Sequence, residues 1–279
     1  MKIHHLRSAT FIIELGKEFI LVDPMLSKKG ELLPFAVLKH KARRNPTVEL
    51  PGNASELLDK VTHCVITHCQ KKHLDHLDNA GEDLLRGKNI PVTCHTSDKQ
   101  YLVGRGINVV NAISHWKAVD FLGGKITAVP AQHGYGWVHK IMANGIGFHI
   151  EMDNEPSIYI SGDTVLTSDV KKALRDLKPD IAVVACGYAS IDIGKPILMS
   201  LEDILEFSRL APKLVFANHL EALNHCAMTR SHLDESLRWH GLSGKTWMPD
   251  DGDSTFVDKE CQWPQGANLV PDPAMQQGS

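Results

Sequence analysis

Two short apolar runs, Thr10–Leu15 and Glu18–Val22, are separated only by Gly16-Lys17. That spacing predicts a β-hairpin, whose two strands make up the stretch from Ile3 to Val22. Asp23-Pro24 ends the second strand. From Met25 to Leu50 the periodicity fades, and Pro34 and Pro46 mark a long loop of the kind that often carries function. Ala54–Lys60, Leu77–Leu85, Ser97–Val103, Ser168–Leu177, Ser200–Ala211 and Ser231–Gly241 read as helices, with Ser97 and Ser200 as caps. Thr62–Thr67, Val92–Cys94, Ile107–Val110, Ser157–Ser161, Ile181–Ala185, Lys213–Ala217 and Lys245–Met248 read as strands. Ala118–Phe121, Lys125–Pro130 and Gly147–Met152 read as hairpins joined through glycine turns.

Strands come first, then strand–helix alternation, then hairpins, then alternation again. An α/β fold of two mixed sheets with helices on their outer faces, a four-layer αββα sandwich, fits this order. No linker interrupts it, so one domain over residues 1–258 is expected. The segment 259–279, rich in proline and poor in periodicity, is expected to be a poorly ordered extension.

The length of 279 residues and 43% hydrophobic content provide ample core. The net charge of −3 and the scattered Lys and Arg argue against a nucleic-acid surface. Six cysteines without CxxC spacing read as reduced thiols of a cytoplasmic protein. No signal peptide is evident, and no apolar run nears the roughly 20 residues of a membrane span, so no membrane partner is expected. The expected partner is a small-molecule substrate; the sequence leaves open whether the chain forms a homo-oligomer.

The chemistry concentrates at His68–Asp78, which reads His-Cys-Gln-Lys-Lys-His-Leu-Asp-His-Leu-Asp. His68, His73, Asp75 and His76 follow directly on an apolar run. Imidazole nitrogens and carboxylate oxygens are the donors that borderline divalent metals take. Four other apolar runs also end in a ligand-type residue: Asp23, His133, Asp163 within Ser161-Gly162-Asp163-Thr164, and His219. A strand end holds such a residue on a rigid scaffold.

Together these motifs resemble the metallo-β-lactamase superfamily over roughly residues 3 to 250. The Leu-Val-Asp-Pro, Ala-Gln-His-Gly and Tyr-Ile-Ser-Gly-Asp-Thr stretches are most similar to its L-ascorbate-6-phosphate lactonase branch. The resemblance implies the metallo-β-lactamase fold and a binuclear site. His68, His73 and His133 would hold one metal, Asp75, His76 and His219 the second, and Asp163 would bridge them. Asp23 would orient a ligand histidine. Zinc is the first expectation, with manganese or iron as alternatives. One departure stands out: the family has one residue between its first two histidines, and this chain has four, Cys69 to Lys72. Either His68 binds through a longer loop or its place is empty. A register anchored on His73 puts Lys71 in the first position, but lysine is protonated at neutral pH and ligates poorly. The strand-end position of His68 favours it.

The resemblance further implies a hydrolase in which a metal-bridged hydroxide attacks a small ester, lactone or phosphorylated metabolite. Asp75 would orient the nucleophile. Glu221 and His225, just beyond His219, would act as acid–base or substrate groups if their loop covers the site. Trp137 and His139 would line the pocket near His133. Lys28, Lys29, Arg43 and Arg44 would favour an anionic substrate if the Met25–Leu50 loop turns them inward. The competing functions are a redox di-iron protein and a non-catalytic metal or ligand binder with a degraded site.

Overall fold

A computed structural model describes residues 1–70, 73–143 and 145–263. The chain runs through β1 (Lys2–Arg7), β2 (Thr10–Leu15), β3 (Glu18–Val22), α1 (Ala54–Asp59), β4 (His63–Ile66), α2 (Asn79–Gly87), β5 (Val92–His95), α3 (Lys99–Gly104) and β6 (Val109–Ile113). It continues through β7 (Ala118–Phe121), β8 (Gly124–Pro130), β9 (Ile146–Glu151), β10 (Ile158–Ile160), α4 (Ser168–Asp176) and β11 (Ile181–Ala185). The last elements are α5 (Leu201–Leu210), β12 (Leu214–Asn218), α6 (Arg230–Trp239), β13 (Thr246–Trp247) and β14 (Ser254–Phe256).

The strands form two seven-stranded sheets, ordered β14-β1-β2-β3-β4-β5-β6 and β13-β12-β11-β10-β9-β8-β7. Each is antiparallel at one end and parallel at the other. In the first, β14 to β3 pair antiparallel and β3 to β6 parallel. In the second, β7 to β10 pair antiparallel and β10 to β13 parallel.

Alternation within each strand sorts side chains onto two faces. Phe11 and Ile13 of β2, and Ile20 and Val22 of β3, enter the core between the sheets with Phe148, Ile181, Val183 and Phe216. Ile12 and Leu21 point the other way, to a core with Leu57, Leu85 and Leu102 of α1–α3. Ala182 and Val184 of β11 likewise face Leu174, Phe207 and Leu233 of α4–α6. Strands buried on both faces read as near-continuous apolar runs, as these do. The result is two mixed sheets with helices outside, as the element order predicts.

Four local expectations change. The stretch from Ile3 to Val22 holds three strands rather than two, because Lys2–Arg7 forms a strand of its own, β1. β14 is absent from the sequence reading, because Ser254-Thr255-Phe256 is too short to show a period; it pairs with β1. Ser97 does not cap α3. The helix begins after Asp98, and the Ser97 hydroxyl is engaged with His95 Nδ1 at 2.8 Å and Asp98 Oδ1 at 3.1 Å. Packing also runs past Asp258. Cys261 and Trp263 are buried in the inter-sheet core, and Trp263 Nε1 donates to the Lys245 carbonyl at 3.0 Å. The rest of the expected extension, 264–279, lies outside the described residues.

The Met25–Leu50 segment has no helix or strand, yet it is tied down at many points. Buried Arg7 donates to the carbonyls of Val48, Met25 and Ser27 at 2.9–3.0 Å. The Asn224 amide is held by Phe35 N–H, Asn45 Nδ2, Ala36 O and Lys41 O. This clasp lays the loop over the ends of the strands that carry the site.

Candidate metal centre

The polar residues at the strand ends converge in the cleft between the two sheets. β4 leads to His68, His73, Asp75 and His76; β8 leads to His133, β10 to Asp163 and β12 to His219. All seven are buried. Two donor groups result: His68, His73 and His133; and Asp75, His76, Asp163 and His219. Within each, one ligand atom per residue lies within 4.8 Å of the others. Asp163 Oδ2 reaches toward both: 3.2 Å from His76 Nε2, 3.6 Å from His219 Nε2 and 3.6 Å from His133 Nε2. His68 joins the cluster across the four intervening residues, its ring 4.6 Å from that of His73. Lys71, the alternative in that position, lies outside the described residues.

Hydrogen bonding fixes which nitrogen of each ring faces inward. His73 Nδ1 donates to the Gln70 carbonyl at 2.5 Å, and His133 Nδ1 to the Ile197 carbonyl at 2.9 Å. A carbonyl only accepts, so in each neutral ring the proton sits on Nδ1 and the Nε2 lone pair points into the cluster. His68 Nδ1 meets Thr67 Oγ1 at 3.1 Å, and that hydroxyl donates onward to Asp23 Oδ2 at 2.7 Å. His76 Nδ1 donates to the same oxygen at 2.9 Å. His219 Nδ1 lies 3.6 Å from Cys226 Sγ. The inward atoms His68 Nε2, His73 Nε2, His219 Nε2 and Asp163 Oδ1 are buried without a hydrogen-bond partner. Buried polar atoms left unpaired cost roughly 1–3 kcal/mol each. Two of them in each donor group is the arrangement that a divalent ion at each position satisfies, and imidazole with carboxylate is a donor set for zinc, manganese or iron. The residues therefore fit two ions.

The backbone is shaped for this approach. Gly145 passes against His68: a Cβ there would stand 2.6 Å from His68 Cβ and 2.6 Å from the Thr67 carbonyl. His219 adopts a left-handed conformation, φ 60°, which turns its ring back into the cleft.

Burial and charge set the protonation of the cluster. Burial, with His76 and His73 nearby, holds His68 well below the ordinary histidine value. Burial lowers His133 to about 4. Burial also acts to lower His76, but Asp163, Asp23 and Asp75 outweigh it and raise it well above the ordinary value. Burial disfavours the charged form of Asp163 too, yet His76 and His219 keep it ionised. In the metal-free protein His76 thus carries a proton that a metal must displace. Metal affinity is expected to rise with pH, by about tenfold per unit for each proton released. Competition titrations with a chromophoric chelator at pH 6 and pH 8 check this; affinity equal at both would contradict it.

Beside the cluster lies a cavity of about 230 Å³. His73, Asp75, His133 and His225 form its polar side; Phe35, Ile141, Met142, Ile191 and Ile197 form its apolar walls. His225 is buried, edge-on to Phe35 at 5.3 Å, and burial lowers it to about 4. No lysine or arginine lines the cavity among the described residues.

Three expectations about the surroundings require correction. Glu221 is not in the cavity. Its carboxylate accepts from Arg230 Nη1 at 2.6 Å and from Arg230 N at 3.1 Å, at the start of α6, so it serves that helix. Lys28, Lys29, Arg43 and Arg44 are all exposed; Arg44 donates to the carbonyls of Gly30 and Glu31. Trp137 and His139 do not line the cavity either. Trp137 is exposed, and His139 Nδ1 is bound to the Gly136 carbonyl. The sequence reading also missed Phe35 and the wall formed by Ile141, Met142, Ile191 and Ile197. Phe35, a lone aromatic in a loop otherwise poor in periodicity, was the available signal.

A family model described as the beta-lactamase superfamily domain matches residues 18–220. The chain belongs to the beta-lactamase superfamily. It is 30% identical to the UPF0173 protein YddR of Bacillus subtilis, over 91% of this chain and 99% of that one. A possible metal-dependent hydrolase from Veillonella parvula is 28% identical with a TM-score of 0.83, covering 91% of this chain and 98% of the other. An isothiocyanate hydrolase from Delia radicum gut bacteria is 30% identical with a TM-score of 0.82, covering 92% and 99%. This member of the superfamily is a metal-dependent hydrolase.

Proposed function

We propose that the protein hydrolyses a small, uncharged electrophile with an apolar side group, of the isothiocyanate class. The observation that carries this reading is the apolar wall of Phe35, Ile141, Met142, Ile191 and Ile197 directly beside His73, Asp75 and His133. A cavity built this way favours an apolar group and, among the described residues, offers an anionic group no lysine or arginine. The cations that would have favoured an anionic substrate are on the outer surface. The substrate of the Delia radicum gut bacterial relative belongs to the class this cavity suits.

His68, His73 and His133 would hold one divalent ion, and Asp75, His76 and His219 a second, with Asp163 between them. When bound, such ions supply a hydroxide near neutral pH and polarise the electrophile. Zinc is the first choice, with manganese or iron as alternatives. The apolar wall orients the substrate by its side group, so that its electrophilic carbon faces the donor cluster. Water adds its oxygen to the central carbon of R–N=C=S and its protons to nitrogen; cleavage of the C–N bond then gives the amine and carbonyl sulfide. His225, neutral at pH 7, presents its imidazole to the cavity and is placed to accept a proton from the attacking water and hand it on to the departing nitrogen.

Protein loaded with zinc or manganese is to be assayed against alkyl and aryl isothiocyanates, with lactones, carboxylic esters and phosphate monoesters as alternatives. Isothiocyanate turnover is expected, and Phe35→Ala should raise KM for the apolar substrate about tenfold or more with metal content unchanged. Turnover confined to phosphate esters or lactones would overturn the reading. Metal content below one ion per chain would favour a degraded, non-catalytic site.

A further inference from the structure

The cavity opens onto a face built from three segments, 33–44, 135–143 and 188–196. They touch one another. The Asp192 carboxylate accepts the backbone N–H groups of Val37, Leu38 and Lys39 at 2.8–3.1 Å. Lys39 Nζ donates to the Gly194 carbonyl at 2.8 Å. A Cβ on Gly194 would stand 3.6 Å from Trp137 Cζ2, and Tyr135 N–H donates to the Pro196 carbonyl at 3.1 Å. The surface is therefore continuous.

Its composition is unusual for this chain. Seven of the twelve exposed large apolar side chains among the described residues fall in these three short segments. Leu38 is 83% exposed, Leu33 68% and Trp137 56%. The same segments carry Lys39, Lys41, Arg43, Arg44, Lys140 and Lys195, all exposed. Their one acidic residue is Asp192, whose carboxylate is already taken by backbone N–H groups. A protein of net charge −3 thus gathers positive charge around an exposed apolar rim.

Large exposed apolar patches mark contact surfaces. Apolar tips among cations, with the single carboxylate already engaged by backbone N–H groups, match an anionic lipid surface: the tips enter the acyl boundary and the cations meet the headgroups. Pairing with a second copy of the chain through this face would set cations against cations, which favours lipid over self-association. We propose that this face docks on an anionic lipid surface, with Leu38 and Trp137 inserted and the cavity mouth turned toward the bilayer. The contact is one-sided, since no helix among the described residues is long and apolar enough to cross a membrane. The expectation of no membrane partner came from the absence of a span, and a peripheral face leaves no such trace. Docking would let an apolar substrate pass from lipid to the cavity without crossing bulk water, and the face would bind lipid whatever the substrate is.

Flotation of the metal-loaded full chain with vesicles, without substrate, tests the proposal. Binding to vesicles of phosphatidylcholine with phosphatidylglycerol is expected, weakened by high salt and much lower on phosphatidylcholine alone. The double variant L38E/W137E should lower the bound fraction at least about tenfold, with its circular dichroism and melting temperature as in the parent. Trp239→Glu, at an exposed tryptophan on α6, should bind as the parent does. No binding to anionic vesicles, or equal binding by L38E/W137E, would overturn the proposal. So would a parent dimer in sedimentation that L38E/W137E dissolves without any vesicle binding.

Discussion

Asp163→Asn is expected to lose at least one metal equivalent and to lower turnover at least about 100-fold, since changes to outer-shell partners alone cost 10–100-fold. Asp163 Oδ2 stands within 3.6 Å of inward nitrogens from both donor groups, and Oδ1 is buried without a partner. Asparagine keeps the shape but removes the negative charge that, in the proposed two-ion centre, would offset the repulsion between the cations. Elemental analysis of the purified variant beside its kinetics is the check. Full occupancy with parental turnover would remove Asp163 from the centre.

Asp23→Ala should weaken both metal binding and the fold. Asp23 accepts from Thr67 N at 2.8 Å, Thr67 Oγ1 at 2.7 Å and His76 Nδ1 at 2.9 Å, all in the buried interior. Alanine strands these donors at about 1–3 kcal/mol each, part of which local rearrangement recovers. Its methyl group must also occupy a left-handed backbone site, φ 45°, where aspartate is better tolerated. A loss of about 2–5 kcal/mol is expected in denaturant unfolding of the metal-free protein, with metal affinity falling about 10–100-fold. If only metal affinity falls, the network orients the rings without supporting the sandwich; if neither changes, the hydrogen bonds to Asp23 carry no weight.

The sequence showed these two carboxylates for a physical reason. Asp23 directly follows β3 and Asp163 lies three residues past the end of β10, and a polar residue that close to a buried apolar run is conspicuous. The same logic made His133 and His219 visible. It failed wherever a residue's partner is distant in sequence. Glu221 lies two residues past His219, but Arg230 draws its carboxylate to the outside. Asn224 clasps a loop some 180 positions away, as in its bond to Phe35 N, and no local pattern announces that. The cations at 28, 29, 43 and 44 carried no directional information, because a loop without period gives no rule for which side chains turn inward. The sheets were legible through their apolar strands, except β1, where His4, His5 and Arg7 interrupt the apolar run, and β14, which is defined by its neighbour β1 rather than by its own three residues.

Each donor group is divided between the two sheets. His68 and His73 follow the first, His133 the second; Asp75 and His76 follow the first, Asp163 and His219 the second. An ion at either position would be a rivet through the seam of the sandwich as well as a reagent. Chelation would then act as a selective denaturant, loosening the join between the sheets before it disturbs either sheet's own hydrogen-bonded ladder.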